Sequence, residues 1–283
     1  MSTAPSPSVL AGITTRNRAA ILPKALDSLG RQSYPRLQVT VLDDASDNDA
    51  TWALRPGYPE VTWLRHDKPH GIIESRNELM RAADAEYYLC LDDDAWFLRG
   101  DELALAIARL QEQPEVAAIA FDILSPDRPT EEPRAAARPV AMYIGCGHVL
   151  RLSAARAAGF YAPSPGAYGS EEKDLCLRLA DLGLRVELLP GVHVWHDKAW
   201  GDRDNRPLHR SGVSNEMTMA LRRCPLPDVL LVLPLKTLSY FWFWLRHPFY
   251  ARAGLAGLGD FLRHFAATWR TRQPVKRATF WRF

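Results

Sequence analysis

Hydrophobic positions in the first half of the chain alternate between short apolar runs and helical spacings. The apolar runs predict strands over Val9–Ile13, Leu37–Leu42, Val61–Leu64, Tyr87–Leu91 and Val116–Phe121. Between these runs, apolar side chains recur every three or four residues and predict helices over Ala19–Gln32, Ile72–Ala83 and Glu102–Gln113. Strands and helices that alternate in this order are typical of an α/β fold with a mostly parallel sheet and helices on both faces.

The second half continues the pattern less regularly. It predicts a strand over Tyr143–Arg151, a helix over Lys173–Gly183 and a strand over Arg185–Leu189, with loops at 125–139 and 190–206. The apolar stretch Val229–Leu245 is short for a membrane span and is interrupted by Pro234 and Lys236, so we expect it to lie in a membrane interface rather than to cross.

Charge and aromatic residues separate the C-terminal segment from the rest. The 283 residues carry a net charge of +2, but residues 236–283 hold nine lysines and arginines against a single acidic residue, Asp260. Thirteen of the 28 aromatic residues also lie between Tyr240 and Phe283. A basic, aromatic segment with helical apolar spacing over Ala251–Trp269 suits an anionic membrane surface. Alternatively, this helix packs on the catalytic domain or on a second subunit. The sequence does not decide between these alternatives or fix the oligomeric state.

These differences predict a catalytic domain over 1–225 and an amphipathic helical tail over 226–283. Within the domain we expect a nucleotide-binding half at about 9–122 and an acceptor-binding half at about 140–206. The tail's composition is the sole argument for a nucleic-acid partner, and we expect none.

Cysteine usage and the N-terminal sequence bear on the compartment. The four cysteines form no CxxC pair, which argues against a zinc ribbon, and nothing requires an oxidising compartment. The first residues lack the basic and apolar regions of a signal peptide. We therefore expect a cytoplasmic protein, peripheral at the inner face of the membrane.

Polar side chains follow three of the predicted strands at the point where each strand ends. Thr14 and Thr15 follow the first strand, Asp43 and Asp44 the second, and Asp92–Asp94 the strand at Tyr87–Leu91. Ligands of open α/β sheets bind outside the carboxyl ends of the strands, so these groups should converge on one crevice. Carboxylates are hard oxygen ligands that suit Mg²⁺ or Mn²⁺. Asp92 and Asp94 could thus hold a metal and a ribose together.

Several runs, in order, resemble glycosyltransferase family 2, the GT-A nucleotide-sugar transferases. They are GITTRNR, VTVLDDASDND, Gly71 with SRN, LCLDDDA, and two longer stretches at 145–160 and 170–196. The resemblance covers about 190 residues, from Val9 to His196. It implies a GT-A fold, Rossmann-like, with the basic aromatic segment as a C-terminal helical appendage.

The resemblance also implies roles for individual residues. It places nucleotide contacts at Thr14, Arg16, Asp43, Asp44, Arg76, Asp92 and Asp93. It implies a Mn²⁺ or Mg²⁺ cofactor held by Asp92, Asp94 and His196. Acceptor contacts are expected at Gly145, Gly147, Glu171 and Trp195.

The catalytic base is expected in the run Glu171-Glu172-Lys173-Asp174. The family usually has an aspartate where this chain has Glu172, so the chain departs from the pattern by one methylene. Glu172 is the first choice for the base and Asp174 the second. A carboxylate there would take the proton of an acceptor hydroxyl as it attacks.

The activity that the resemblance implies is a metal-dependent, inverting transfer of a sugar from a nucleoside-diphosphate donor. UDP- or dTDP-sugars are favoured, and the acceptor is a glycan or lipid-linked hydroxyl in cell-surface polysaccharide or glycolipid synthesis. Two alternatives stay open. One is an inactive GT-A fold that serves as a binding or scaffold protein, supported by the departure at Glu172. The other is a nucleotidyltransferase, although TTRNRAA lacks the glycines of a phosphate loop.

Overall fold

A computed structural model describes residues 6–130, 136–198 and 204–283. The described chain forms two compact units. The sheet unit takes its residues from 1–160 and 183–199, and the helical unit from 161–182 and 200–283. The predicted boundary between 225 and 226 stays a prediction.

The sheet unit is built on one nine-stranded sheet among the described residues. Its strands are β1 (Val9–Thr15), β2 (Leu37–Asp43), β3 (Thr62–Arg65), β4 (Tyr87–Leu91), β5 (Ala95–Phe97), β6 (Val116–Leu124), β7 (Arg138–Val140), β8 (Gly147–Arg151) and β9 (Arg185–His196). Their order is β3-β2-β1-β4-β8-β6-β9-β5, with β7 also paired to β9. The helices of this unit are α1 (Leu22–Gly30), α2 (Ile72–Ala82), α3 (Glu102–Glu112) and α4 (Leu152–Ala158).

The predicted α/β fold is confirmed, with a mixed rather than uniformly parallel sheet. Strands β3, β2, β1 and β4 run parallel, and β6 pairs parallel with β9. Strand β8 lies antiparallel between β4 and β6. The central strands read as continuous apolar runs because helices cover both faces, and Val9, Ala11 and Ile13 are fully buried.

Several element boundaries differ from the sequence expectation, each for a local reason. Helix α1 begins at Leu22 rather than at residue 19, with Pro23 in its first turn, where the missing N–H costs nothing. Strand β8 begins at Gly147 rather than at Tyr143, because a turn precedes it in which the Gly147 N–H bonds to the carbonyl of Ile144.

The largest difference is the strand expected to end at Leu189, which continues to His196. The predicted loop at 190–206 is therefore wrong for its first seven residues. The pairing of β6 with β9 shifts register between Ala120 and Asp122, which leaves room for a bulge around Gly191 at φ +79°. The chain then resumes pairing as far as His196, beside β5.

The helical unit contains five described α-helices. They are α5 (Glu171–Asp181), α6 (Arg206–Arg223), α7 (Val229–Arg246), α8 (Ala251–Arg270) and α9 (Arg277–Arg282). An apolar cluster of residues from α6, α7 and α8 includes Met217, Leu221, Val232 and Phe261. The predicted amphipathic helix at 251–269 corresponds to α8.

Helix α7 covers the apolar stretch of the tail. By length and composition it could cross a membrane, and only 17% of its 18-residue window is buried within the protein. Large apolar side chains such as Leu230, Leu238 and Trp242 are more than half exposed. Most of this helix therefore lacks apolar cover from the described part of the chain.

Candidate functional site

The acidic triplet lies immediately after β4, as expected, and its three carboxylates have different partners. Asp93 is buried and accepts a hydrogen bond from Thr15 Oγ1 at 2.7 Å. Burial raises the pKa of Asp93 to about 6, against the opposing effects of Arg18 and of this hydrogen bond. Asp93 thus links the ends of β4 and β1. Thr14, predicted as a nucleotide contact, precedes Thr15 in β1, and that role stays a prediction.

Asp94 turns toward the end of β9. His196 Nε2 lies 3.3 Å from Asp94 Oδ1, and Arg18 Nη2 lies 2.5 Å from Asp94 Oδ2. Burial alone would raise the pKa of Asp94, but the hydrogen bonds from His196 and Arg18 lower it to about 2. The carboxylate is therefore ionised at neutral pH. The continuation of β9 past Gly191 is what brings His196 to this position.

Asp92 pairs with a buried cation. Arg76 in α2 is 3% exposed, and its Nη2 lies 2.5 Å from Asp92 Oδ1 and 3.3 Å from the carbonyl oxygen of Gly145. Arg76 and Gly145, predicted for the nucleotide and for the acceptor, are thus in one hydrogen-bonded group with Asp92.

The arrangement fits a divalent cation at the predicted ligands. One ligand atom each from Asp92, Asp94 and His196 lies within 4.8 Å of the others. Two carboxylates and one imidazole suit Mn²⁺ or Mg²⁺. The Asp92 side chain is 22% exposed and the His196 side chain 15%, so water or a ligand can complete the coordination.

The two aspartates at the carboxyl end of β2 have side-chain partners other than those of the triplet. Asp43 is fully buried, and its Oδ1 accepts from the Ser46 backbone N–H at 2.8 Å. Asp44 faces the loop before α2. It accepts from the backbone N–H groups of His70 and Gly71 and bonds to His66 Nδ1, each at 2.8 Å. Burial opposes ionisation, yet these bonds lower the pKa of Asp44 below its usual value.

A polar cavity of about 560 Å³ opens beside these aspartates. It is lined by Arg16, Ala45, Ser46, Asp47, Arg65, His66, Asp67 and Pro69. Arg16 Nη2 lies 3.6 Å from Asp47 Oδ1, and the two side chains are 46% and 73% exposed. Arg16, predicted as a nucleotide contact, therefore lies at the cavity wall with a half-exposed side chain.

Gly147 and Trp195, the other acceptor contacts predicted in the sheet unit, lie within paired strands. A Cβ on Gly147 would lie 3.0 Å from Ile123 Cδ1 and 3.2 Å from Phe121 Cδ2, so a larger residue would require these side chains to shift. Trp195 pairs with Trp96 across β9 and β5, and strand alternation turns it to the face opposite His196.

In the helical unit, the three acidic residues of the first turn of α5 differ in burial and in hydrogen-bond partners. Glu171 is buried, and its Oε2 accepts from the Gly169 N–H. Glu172 is partly exposed. Asp174 is buried and bound to two arginines: Oδ2 lies 2.6 Å from Arg178 Nη2, and Oδ1 lies 2.6 Å from Arg223 Nε.

Burial opposes the ionised form of Asp174, but Arg178 and Arg223 hold its pKa below the ordinary value. A carboxylate with a lowered pKa and both oxygens bonded to arginines is a poor proton acceptor. The geometry therefore favours Glu172 over Asp174 as a base. The assignment of roles to all these residues stays a prediction.

The sequence analysis did not identify two residues that contact the predicted site residues of the sheet unit. Arg18 lies on the triplet, with its Nη1 3.2 Å from Asp93 Oδ1, in addition to its contact with Asp94. His66 bridges Asp44 and Glu78. The signal for Arg18 was present, since it lies in the polar run directly after β1, but its partners are about 76 residues away.

Comparison with known proteins assigns the sheet region to a family. The profile of Glycosyl transferase family 2 matches residues 11–160, just over half of the chain. An uncharacterized glycosyltransferase of Haemophilus influenzae is 33% identical over 86 residues, which are 30% of this chain and 29% of the relative. A putative colanic acid biosynthesis glycosyl transferase, WcaA of Escherichia coli, is 29% identical over 86 residues, or 28% of this chain and 30% of the relative. The matches thus span less than a third of these relatives.

A solved structure shares the fold over most of the chain. It is a mannosyltransferase from Pyrobaculum calidifontis in complex with GDP-Man and Mn²⁺. The TM-score is 0.62 at 19% identity, with 92% of this chain and 76% of that chain covered. At this identity the similarity establishes the fold.

Proposed function

The chain belongs to glycosyl transferase family 2, and on that premise we propose that it moves a sugar from a nucleoside-diphosphate donor to an acceptor hydroxyl. The observation that carries the proposal is the group of Asp92, Asp94 and His196 at the carboxyl end of β4, with Arg76 on Asp92. A metal-ligand set and a buried arginine at one strand end suit a nucleoside diphosphate, which is anionic and binds divalent cations.

The donor site of the proposal uses this chain's residues in stated ways. Asp92, Asp94 and His196 hold a divalent ion, which, when bound, neutralises charge on the departing diphosphate. Thr15 and Arg76 keep the carboxylates of Asp93 and Asp92 in fixed orientations. The cavity beside Arg16 and Asp47 takes the nucleoside. We propose UDP or dTDP as the nucleotide; the structural neighbour bound GDP-Man.

Glu172 is the proposed general base. It accepts the proton of the acceptor hydroxyl while that oxygen bonds to the anomeric carbon, and the bond from that carbon to the diphosphate breaks. A single displacement of this kind inverts the anomeric centre and needs no second, nucleophilic carboxylate. The commitment of Asp174 to two arginines supports the choice of Glu172.

A binding panel and two variants test the proposal. We expect one of UDP, dTDP, GDP or CDP, with Mn²⁺ or Mg²⁺, to raise the melting temperature, and EDTA to remove the effect. A ligand at 100 times its Kd stabilises the native state by about 2.7 kcal/mol. Asp94→Asn should lose the metal-dependent shift, whereas Glu172→Gln should keep it.

Glu172→Gln should, in addition, lose release of nucleoside diphosphate from the matching nucleotide sugar in the presence of acceptor. A panel with no shift for any nucleotide would favour the inactive scaffold. Full transfer by Glu172→Gln would remove Glu172 from the base role.

We also propose that the tail rests on the cytoplasmic face of an anionic membrane, where it brings the enzyme to a glycan or lipid-linked acceptor in polysaccharide synthesis. The exposed leucines and tryptophans of α7 and the arginines of residues 236–283 support this location. The relative named for colanic acid biosynthesis fits a polysaccharide product.

Co-sedimentation with vesicles tests the membrane contact. The double change Leu235→Gln and Leu238→Gln removes two leucines that are 54% and 64% exposed, so the fold should survive. We expect it to weaken binding to phosphatidylglycerol vesicles, while Leu105→Gln on α3, 41% exposed, leaves binding unchanged. Equal binding by all three proteins would contradict the proposal.

A further inference from the structure

Apart from the triplet, the described residues contain a second group of metal-ligating side chains. His66 follows β3, His70 lies in the loop before α2, and Glu78 lies on α2. One ligand atom from each lies within 4.8 Å of the others. Neither the family match nor the sequence analysis gives these three residues a role, and His66 also lines the cavity proposed for the nucleoside.

The donor atoms differ from those of the triplet. Two imidazole nitrogens and one carboxylate oxygen form the set that binds Zn²⁺ in sites with open coordination positions. The group of Asp92, Asp94 and His196 has two carboxylates and one imidazole, a harder set that suits Mg²⁺ and Mn²⁺. The two groups therefore differ in the class of cation that they favour.

Asp44 holds His66 in the orientation that a metal ligand needs. Its Oδ1 lies 2.8 Å from His66 Nδ1, so the hydrogen bond fixes the ring with Nε2 directed at Glu78. Metal-binding histidines usually donate their second ring N–H to a carboxylate in this way. Asp44 also accepts from the backbone N–H of His70 and of Gly71, so one carboxylate orients His66 and anchors the loop that carries His70.

We propose that His66, His70 and Glu78 bind a Zn²⁺-class transition metal ion, with Asp44 as the positioning residue for His66. The ion replaces the proton shared between His66 Nε2 and Glu78 Oε2, which are 2.9 Å apart. That proton passes to solvent.

The movement required of the His66–Glu78 pair is small. Ligands at about 2.0–2.1 Å from a tetrahedral ion lie about 3.3 Å from each other, so Glu78 must recede by about 0.4 Å. The Glu78 side chain is 44% exposed and can do so. The rings of His66 and His70 have centroids 4.0 Å apart, and His70 is exposed, which leaves positions for water on the ion.

Zinc titration of the full chain tests this site. The triplet can also bind zinc, so the wild-type protein should bind two equivalents by calorimetry and by metal analysis after dialysis. His70→Ala should bind one equivalent, since His70 contributes its exposed ring to no other described hydrogen bond. His264→Ala, which changes an exposed histidine of α8, is the matched control and should bind two.

Two further variants keep the outcome unambiguous. Glu78→Gln should weaken the same equivalent by at least about tenfold, comparable to the loss of a supporting contact in known sites. Asp94→Asn should lose the other equivalent and keep the one that His70→Ala removes. Zinc stoichiometry unchanged in both His70→Ala and Glu78→Gln would overturn the proposal, as would loss of all zinc in Asp94→Asn. Because the readout is zinc binding, failure here leaves the proposed transfer activity intact.

Discussion

Asp174 should stabilise the fold. Its removal should lower the free energy of unfolding by more than the removal of an acidic residue from an exposed ion pair. The Asp174 side chain is 5% exposed, and those of Arg178 and Arg223 are 10% and 4% exposed. Asp174→Ala would leave two guanidinium groups buried without their carboxylate. Breaking a buried pair by removing one partner costs about 3–5 kcal/mol, because the remaining charge is uncompensated.

An exposed pair provides the control. Glu74 and Arg81 on α2 lie 2.7 Å apart, with both side chains about half exposed. Exposed pairs of this kind contribute about 0–1 kcal/mol, so Glu74→Ala should unfold within about 1 kcal/mol of the wild type. Urea denaturation followed by circular dichroism measures both differences in the free energy of unfolding.

The pH dependence gives a second reading of the same interaction. Because the folded state holds the pKa of Asp174 below its ordinary value of 3.8, its contribution is present above pH 3.8 and is lost as pH falls toward the folded pKa. Asp174→Ala should lack this part of the acid-induced loss of stability. A variant within about 1 kcal/mol of the wild type at neutral pH would refute the reasoning, and would reopen Asp174 as a catalytic base.

Two other predictions concern the sheet unit. Gly12→Ala would place its Cβ 2.3 Å from Tyr88 Oη, so it should destabilise by at least about 1–3 kcal/mol in urea, whereas Gly30→Ala meets nothing within 4 Å and should not. Burial lowers the pKa of His148 from 6.5 to about 3, so the folded protein keeps the ring neutral while the unfolded chain takes up a proton below pH 6.5. The free energy of unfolding of the wild type should therefore fall by about 2 kcal/mol more than that of His148→Gln between pH 7 and pH 5. Equal losses in the two proteins would exclude a buried neutral ring.

Elements with strong local patterns could be predicted from the sequence. Strands β1, β2 and β4 are apolar runs, and α2 and α3 have clear helical spacing, so local composition is sufficient to identify them. Strand β5, helices α4 and α6, and the end of β9 were missed or cut short. Strand β5 has three residues, and β9 continues past a proline and a glycine that normally end a strand.

The candidate site also has features that the sequence predicts and features that it does not. That Asp92–Asp94 and Asp43–Asp44 should lie at one sheet edge follows from the sequence, because carboxyl ends of parallel strands share an edge. Which atom contacts which does not follow. Thr15 bonds to Asp93 across 78 residues, and Arg18 reaches Asp94 across 76, because β1 and β4 are neighbours in register.

By itself, then, the sequence determined the fold class, the family resemblance and the acidic strand ends, since all three depend on residues close together in the chain. Only the tertiary structure decided that Asp44 faces His66, that Asp174 is bound to Arg223 and that a bulge in β9 brings His196 to Asp94. These contacts depend on strand order, register and helix packing. Such features arise from the cooperative packing of distant segments, and no local pattern specifies them.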